Sequence, residues 1–494
     1  MRLPTKQEYE VGLQKFQNLY AKIQLVNKQD QSLGEWETSV VGNPTFTIDS
    51  DSAIRRTCSL TLLSKGKRDF ESSVAEGKDI WLNTYMKIYL GIENMRTKEI
   101  VYTNMGKYML DNPREVYSST ENTFTIKGVD LMCQFTGLRN GVIGGKSEFV
   151  TEYVIEEGSN VRQSIIGVLE MAGFYAYAVD ECQFNVPNDL KFGNSNTYYD
   201  ILKALLDIDP TMQMYFDVDG VFRYEKTPMT ENEQIILDDS YWKKTLISYS
   251  RDYDFEKVKN YVEVVGKTHS IKNYSDATVS GRVYNLQIPT LSNLYNNAKI
   301  GFTAPYKVNS PQIKINNFPA KNLVDYEYDE YGNVVYVNGK PSMIGAELEN
   351  KANVYYVAKY IEEEDYFLYL GEVTPIAIAK DEDPNSPFYI GGELGTIKIV
   401  LQGGEYENIH TQAQARKRAQ WELYRRCKLT DSIEINSIPI LWLDVNSIIS
   451  ISLPRKNSEE EESLKYIVTN INTTFGIGGN QTIKASRYYP LYNN

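Results

Sequence analysis

The stretch that most limits what this chain can fold into runs from Glu405 to its end, where one helical period is followed by four alternating ones. Thr411 and Gln414 have capping-box spacing: the hydroxyl can accept from the backbone N–H of the third helical residue, and the amide can reach back. Ala415, Ala419 and Leu423 then recur every four residues, a narrow stripe of small side chains that lets a sheet approach closely. Arg425 and Arg426 fall in the last turn, where cations suit the helix dipole. Beyond them Ile433 and Ile435, Ile448 and Ile451, Tyr466 and Val468, and Ile483 and Ala485 mark four strands. One helix with four antiparallel strands is a compact β-rich module.

At the other end, Thr5 and Glu8 form a second capping box, and Tyr9, Phe16, Tyr20 and Ile23 predict a short helix within residues 1–24. From Ala21 to Phe135 the period becomes two. A strand through Phe46 and Ile48 leads over a polar turn at Ser50–Ser52 into a second with Cys58, Leu60 and Leu62 on one face. A third is expected over Ile80–Ile92, alternating Trp81, Asn83, Tyr85 and Lys87 against Leu82, Thr84, Met86 and Ile88. Two more patterns, Glu99–Pro113 and Asn122–Phe135, complete five or six strands, enough for a small barrel or sandwich. The pair Arg55–Arg56 reads as solvated or salt-bridged rather than functional. The glycine-rich run 137–146 is a linker; its spacing is wrong for a phosphate loop.

Residues 150–245 change character. Val161, Ile165, Val168, Leu169 and Ala172 predict a helix capped by Asn160 and stopped by Gly173. Thr197 and Asp200 open another, carrying Ile201, Leu202, Leu205 and Leu206 and stopped at Asp209–Pro210. A hairpin follows with its turn at Asp219–Gly220. Asp217, Asp219 and Gly220 imitate the start of a calcium loop, but the third ligand and distal Glu are missing, so they read as the turn. Residues 268–375 are rich in Tyr and Asn, with turns at 329–333 and Asn338–Gly339, and read as an inserted β domain.

A chain of 494 residues exceeds one ordinary core, so three or four domains are expected. Tyrosine is the outlier, 38 against 17 Phe, which favours strands and surfaces that are both apolar and wet. A net charge of −13 argues against nucleic-acid binding and is accounted for by solubility, although a negative wall would also let DNA slide past. Cys58, Cys133, Cys182 and Cys427 lack metal spacing and suit buried thiols in a reducing cytoplasm. The N-terminus has no signal-peptide pattern and no run is long enough to span a membrane. His269 and His410 have no Cys or His neighbour at ligand spacing, and no nucleophile elbow occurs. The acidic runs Glu362–Asp365, Asp381–Asp383 and Glu459–Glu462 read as solvated loops, the last as a hairpin tip. No catalytic, cofactor-binding or metal-ligating residue is assigned, and no enzymatic activity or cofactor is expected.

The order of the C-terminal motifs (helix, strand, Ile438–Pro439, strand, polar hairpin, K-Y-I-V-T-N-I-N-T-T-F, T-I-K-A-S-R-Y-Y-P-L) resembles the hub proteins of bacteriophage tails and baseplates. That family includes late control D proteins and the hub part of type VI secretion spikes. Two further stretches agree. One is the Y-Y-D-I-L-K-A-L helix with the D-V-D-G-V-F-R-Y hairpin. The other is Asn260, Val262, Val264 and Gly266, with the pattern resuming at residues 376–392. Residues 268–375 are not well covered by the resemblance.

The resemblance implies a mainly β, multidomain chain with α+β parts. Its expected organisation is an N-terminal helix (1–24), a first hub β-barrel (25–145) and an α+β domain (146–245). A second hub β-barrel (246–267 plus 376–494) would carry the helix 411–427, and 268–375 would be inserted. It also implies a homotrimer joining a six-fold tail tube, or distal tail protein, to a central spike or tip. Its lumen would pass DNA and tape-measure protein, in a virion assembled in the bacterial cytoplasm without membrane insertion. The alternative of another class is a virion-borne polysaccharide-binding protein or glycosidase that uses the Tyr-rich insertion.

Overall fold

The computed structural model describes residues 3–14, 17–36, 40–63, 81–120, 122–143, 152–182, 184–329, 334–338, 340–348, 354–454, 461–476 and 478–490. The chain is mostly β, and its organising element is one sheet of thirteen strands. Seven come from the N-terminal part, β1 (Leu19–Val26), β2 (Ser32–Trp36), β3 (Val40–Asp49), β4 (Arg56–Leu63), β5 (Tyr85–Glu93), β6 (Ile100–Tyr117) and β7 (Asn122–Asp130). The other six are Ile235–Leu237, Leu246–Asp254, Thr430–Ser437, Ile448–Pro454, Glu461–Thr474 and Gln481–Arg487. The two blocks meet where β3 pairs antiparallel with Glu461–Thr474, from Thr45↔Thr474 to Asp49↔Asn470. Two hub β-barrels were expected, over 25–145 and over 246–267 plus 376–494. Among the described residues neither block is a closed ring of paired strands.

The alternating patterns bury what their period predicts. Leu60, Ile88, Leu90, Phe124 and Ile126 share the core of the first block, and Ile433, Ile435, Ile451, Tyr466, Val468 and Ile483 that of the second. At the N-terminus the capping box forms, with Thr5 and Glu8 serving each other's backbone N–H, but helix α1 spans only Lys6–Gly12. Tyr20 and Ile23, expected on its face, lie in β1 instead, where Ala21, Ile23 and Leu25 are buried at period two. A two-residue period with β5 as partner outweighs a loose helical one. The third expected strand likewise begins at Tyr85 rather than Ile80, because Trp81 and Thr84 close a turn, Trp81 N donating to Thr84 Oγ1 at 3.0 Å.

Helices α2 (Val161–Met171) and α3 (Tyr198–Leu206) pack over a small sheet in a separate core with Phe135, Phe216 and Phe222. Its hairpin turns at Gly220, with φ +78°, and a Cβ there would sit 2.7 Å from the Lys107 side chain. Asp217 is consumed by that turn: it accepts from Asp219 N and Val221 N at 3.0 Å and from Arg223 at 2.8 Å. A short helix α4 (Asp239–Thr245) then leads into the Leu246–Asp254 strand. The inserted residues hold a nine-stranded sheet with its own core, including Tyr284, Ile300, Phe302, Ile313 and Phe367. The expected turn at 329–333 falls largely outside the described residues, as do Gly339 of the second turn and the first two residues of the Glu459–Glu462 tip.

The segment expected to complete the second barrel divides in two. Tyr261–Val265, Ile376–Lys380 and Lys398–Leu401 form a three-stranded sheet apart from the large one. The helix α5 (Gln412–Arg426) lays Ala415 and Ala419 on its Val262, Val264, Ala377 and Ala379. Asn260, fully buried, donates to Phe388 O at 2.9 Å and Gly395 O at 2.7 Å and accepts from Ile397 N at 2.6 Å. It therefore ties the Val-x-Val strand to the 388–397 loop. Gly266, whose lack of a side chain suits a turn after the Val-x-Val strand, does not serve that alone. It also permits contact, since a Cβ would lie 2.5 Å from Ile409 O.

Arg55 and Arg56 are buried at the meeting point of three units. Arg56 pairs with Asp444 of the second block, and its backbone N donates to Asp130 at 2.9 Å. Arg55 stacks 3.9 Å over the Tyr215 ring and donates to Gln213 of the α2–α3 domain at 3.1 Å. Removing one member of a buried pair strands the other charge at a cost of roughly 3–5 kcal/mol. Urea unfolding of Arg56→Met should show that loss, and Arg56→Met/Asp444→Leu should recover most of it.

Candidate functional site

The groups that could do chemistry are, for the most part, committed to structure. His269 and His410, 141 positions apart, are brought face to edge with ring centroids 6.3 Å apart at the root of the inserted domain. Burial holds both imidazoles down to about 4. His269 Nε2 is buried without a hydrogen-bond partner. The charged groups around them are Lys267, Lys299 and Glu157. Glu157 accepts from Lys359 at 2.7 Å and Lys299 at 3.1 Å, which pins the α2–α3 domain to the insertion. No group of three His, Cys, Asp or Glu placed to hold a metal occurs among the described residues.

The four thiols are free, and burial pushes Cys133, Cys182 and Cys427 up to about 12. The acidic runs serve local structure: Asp365 accepts from Lys321 and from Tyr360 at 2.6 Å, and Asp381 from Ser386 and from Cys427. No helix among the described residues is long and apolar enough to cross a membrane.

What the fold does present is surface. Among the described residues three strands of the large sheet have a single neighbour, Ile235–Leu237, β2 and Leu246–Asp254. The last is nine residues long and exposes Ile247, Tyr249 and Tyr253, with Phe255 just beyond it 76% exposed. An edge of that length and apolarity is a ready template for another chain. A second open surface is the face of the three-stranded sheet turned away from α5, which carries Ile376, Ile378 and Val400 beside the Lys398–Glu263 ion pair.

The tyrosines gather at a third place that periodicity could not reveal. Tyr326, Tyr328, Tyr336 and Tyr369 of the insertion face the N-terminus of α5 and the loop around Pro187, enclosing a cavity of about 160 Å³. Asp325 sits among them, its carboxyl pushed up to about 6 by burial and opposed by the Arg416 charge. Gln412, the first residue of α5, donates to Ile376 O at 2.7 Å and leaves its Oε1 buried without a partner. The cleft draws on segments separated by more than 200 residues. Only the surplus of Tyr pointed toward it.

Residues 385–492 match the family described as "Domain of unknown function (DUF5048)". No curated protein matches the chain. Solved structures similar to it include phage tail proteins and PdpA–VgrG complexes. One is the 43 kDa tail protein of prophage MuSo2 from Shewanella oneidensis, at 10% identity and TM-score 0.48, covering 95% of this chain and 98% of that one. A tail protein from Neisseria meningitidis MC58 aligns at 8% identity and TM-score 0.45, over 94% of this chain and 96% of that one. The Francisella PdpA–VgrG complex aligns at 9% identity and TM-score 0.40, over 98% of this chain and 55% of the matched one.

The histidine pair makes a pH prediction. Unfolded imidazoles protonate near 6.5 and the folded ones near 4, so the unfolded chain binds more protons in between. Stability from the neutral pair is therefore present above pH 6.5 and lost as pH falls toward 4. Asp130 and Asp325, both raised to about 6, run the opposite way and offset part of the loss. Thermal melts from pH 6.5 to 4.5 should show a smaller fall for His269→Gln/His410→Gln than for the unsubstituted protein.

Proposed function

We propose that the chain is a structural component of a phage-type tail, a hub of three copies that joins a six-fold tail tube to a three-fold central spike or tip. The observation that carries this reading is the sheet itself: a block of strands from the N-terminal part and a block drawn from residues 235–254 and 430–487 lie side by side, joined through β3. Three copies of a two-block chain offer six comparable faces, which is what a three-fold object needs to meet a six-fold ring. The open edge strands β2 and Leu246–Asp254 are suited to continue the sheet from copy to copy, and the Leu246–Asp254 edge carries the apolar side chains for it. The resemblance of the C-terminal motifs and of the Asn260–Gly266 strand to tail hubs supports the same assignment.

The mechanism is then assembly and transmission of force, with no reaction carried out by this chain. Partners are the tube or distal tail protein, the spike or tip, and the tape-measure protein. DNA would pass in transit through a lumen, with the net charge of −13 weighing against its retention. The site of action is the virion tail, after assembly in the bacterial cytoplasm.

Light scattering coupled to size exclusion tests the reading. A mass three times the 56.6 kDa chain, with a central channel in negative stain, is the expected result. Ile247→Lys/Tyr253→Lys should shift the mass toward one chain while leaving the far-UV spectrum unchanged. A monomer that stays monomeric when mixed with tail-tube protein would sink the proposal.

A further inference from the structure

We propose that the tyrosine-lined cleft between the inserted domain, the loop around Pro187 and the N-terminus of α5 binds a single pyranose ring of a saccharide. A pyranose presents two apolar C–H faces and a rim of hydroxyls, so it needs flat apolar walls with hydrogen-bonding groups set at their edge. The walls are Tyr326, Tyr328, Tyr336 and Tyr369, around a cavity of about 160 Å³ that suits one ring and not a longer chain buried end to end.

Asp325 and Gln412 both line it. Asp325 Oδ1 already takes Tyr326 N at 2.8 Å and Tyr328 OH at 3.5 Å, which holds the carboxyl in place. Gln412 is oriented by its bond to Ile376 O, so the partnerless buried atom is its acceptor, Oε1, and what it lacks is a donor. A hydroxyl supplies that donor. The charged residues lining the cleft are balanced: the carboxylates Asp325 and Glu157 stand against Arg416 and Lys359. This balance favours a neutral polyhydroxylated ligand over an amine or an anion. Tyr336, 53% exposed, stands at the mouth, where a ring continuing into a polymer would leave.

The inference does not rest on the trimeric hub. Saturation-transfer NMR and calorimetry on the full chain, with methyl glycosides of glucose, galactose, N-acetylglucosamine and rhamnose at millimolar concentration, would test it. At least one glycoside should bind saturably. Its affinity should fall ten-fold or more in Tyr336→Ala and in Asp325→Asn, and remain unchanged in Tyr249→Ala on the distant sheet edge. Tyr336 is exposed enough that its loss should leave the melting curve intact, so this variant decides the matter if Asp325→Asn fails to fold. No saturable binding of any glycoside, equal binding by Tyr336→Ala, or competition by spermidine would each overturn the proposal. A trimer that binds no sugar would remove this inference alone, and a sugar-binding monomer would remove the hub alone.

Discussion

The Arg56–Asp444 pair is the contact on which the rest of the architecture turns. A guanidinium at 2% exposure is tolerable only where a carboxylate meets it, and that carboxylate comes from the other end of the chain, beyond the inserted domain. The neighbouring Arg55 reaches the third unit through Tyr215 and Gln213, and Asp130 receives the backbone of Arg56. Helix α1 repeats the arrangement on the opposite flank. Its Glu8 accepts from Thr103 of the first block at 2.9 Å, while Tyr9 packs 5.0 Å from Tyr241 and 6.5 Å from Trp442 of the second. Both devices hold the two sheet blocks in one orientation.

The inserted domain is fastened with a different chemistry. Its attachment to the α2–α3 domain is ionic, through Glu157, while its root is a pair of neutral histidines against α5. The small sheet beneath α5 depends on close approach: two alanines on the helix, and Gly266 against Ile409 O. Larger residues at these places would lift α5 and with it Gln412 and Arg416. The cleft is thus built on the same packing that completes the C-terminal unit.

Local order was legible in the residues. Thr411 and Gln414 cap α5 as their spacing predicts, Thr197 and Asp200 cap α3, and Asn160 caps α2. Side-chain-to-backbone bonds over three residues need nothing from elsewhere in the chain, and the two-residue period of Ile433, Ile435, Ile483 and Ala485 marks a buried face wherever the strand lies. Reading failed where two periods competed. Tyr20 and Ile23 fit a helix loosely, and the backbone partners supplied by β5 made them a strand. Trp81 and Leu82 alternate like a strand, but the Thr84 hydroxyl closes a turn at that point.

What sequence alone determined, then, is the class of this protein: predominantly alternating strands, capped amphipathic helices, a Tyr-rich insertion, and hub-like motifs in order. Tertiary structure decided how the strands are shared. That β3 takes Glu461–Thr474 as its second neighbour rests on backbone groups that every strand carries alike, so no side chain announces it. Tertiary structure equally decided between the two readings of Arg55–Arg56: both are buried, and Arg56 is salt-bridged to Asp444. It also placed Asp325, Gln412 and Arg416 around one cavity, because contacts between distant segments are settled by packing and charge compensation, which leave no periodicity to read.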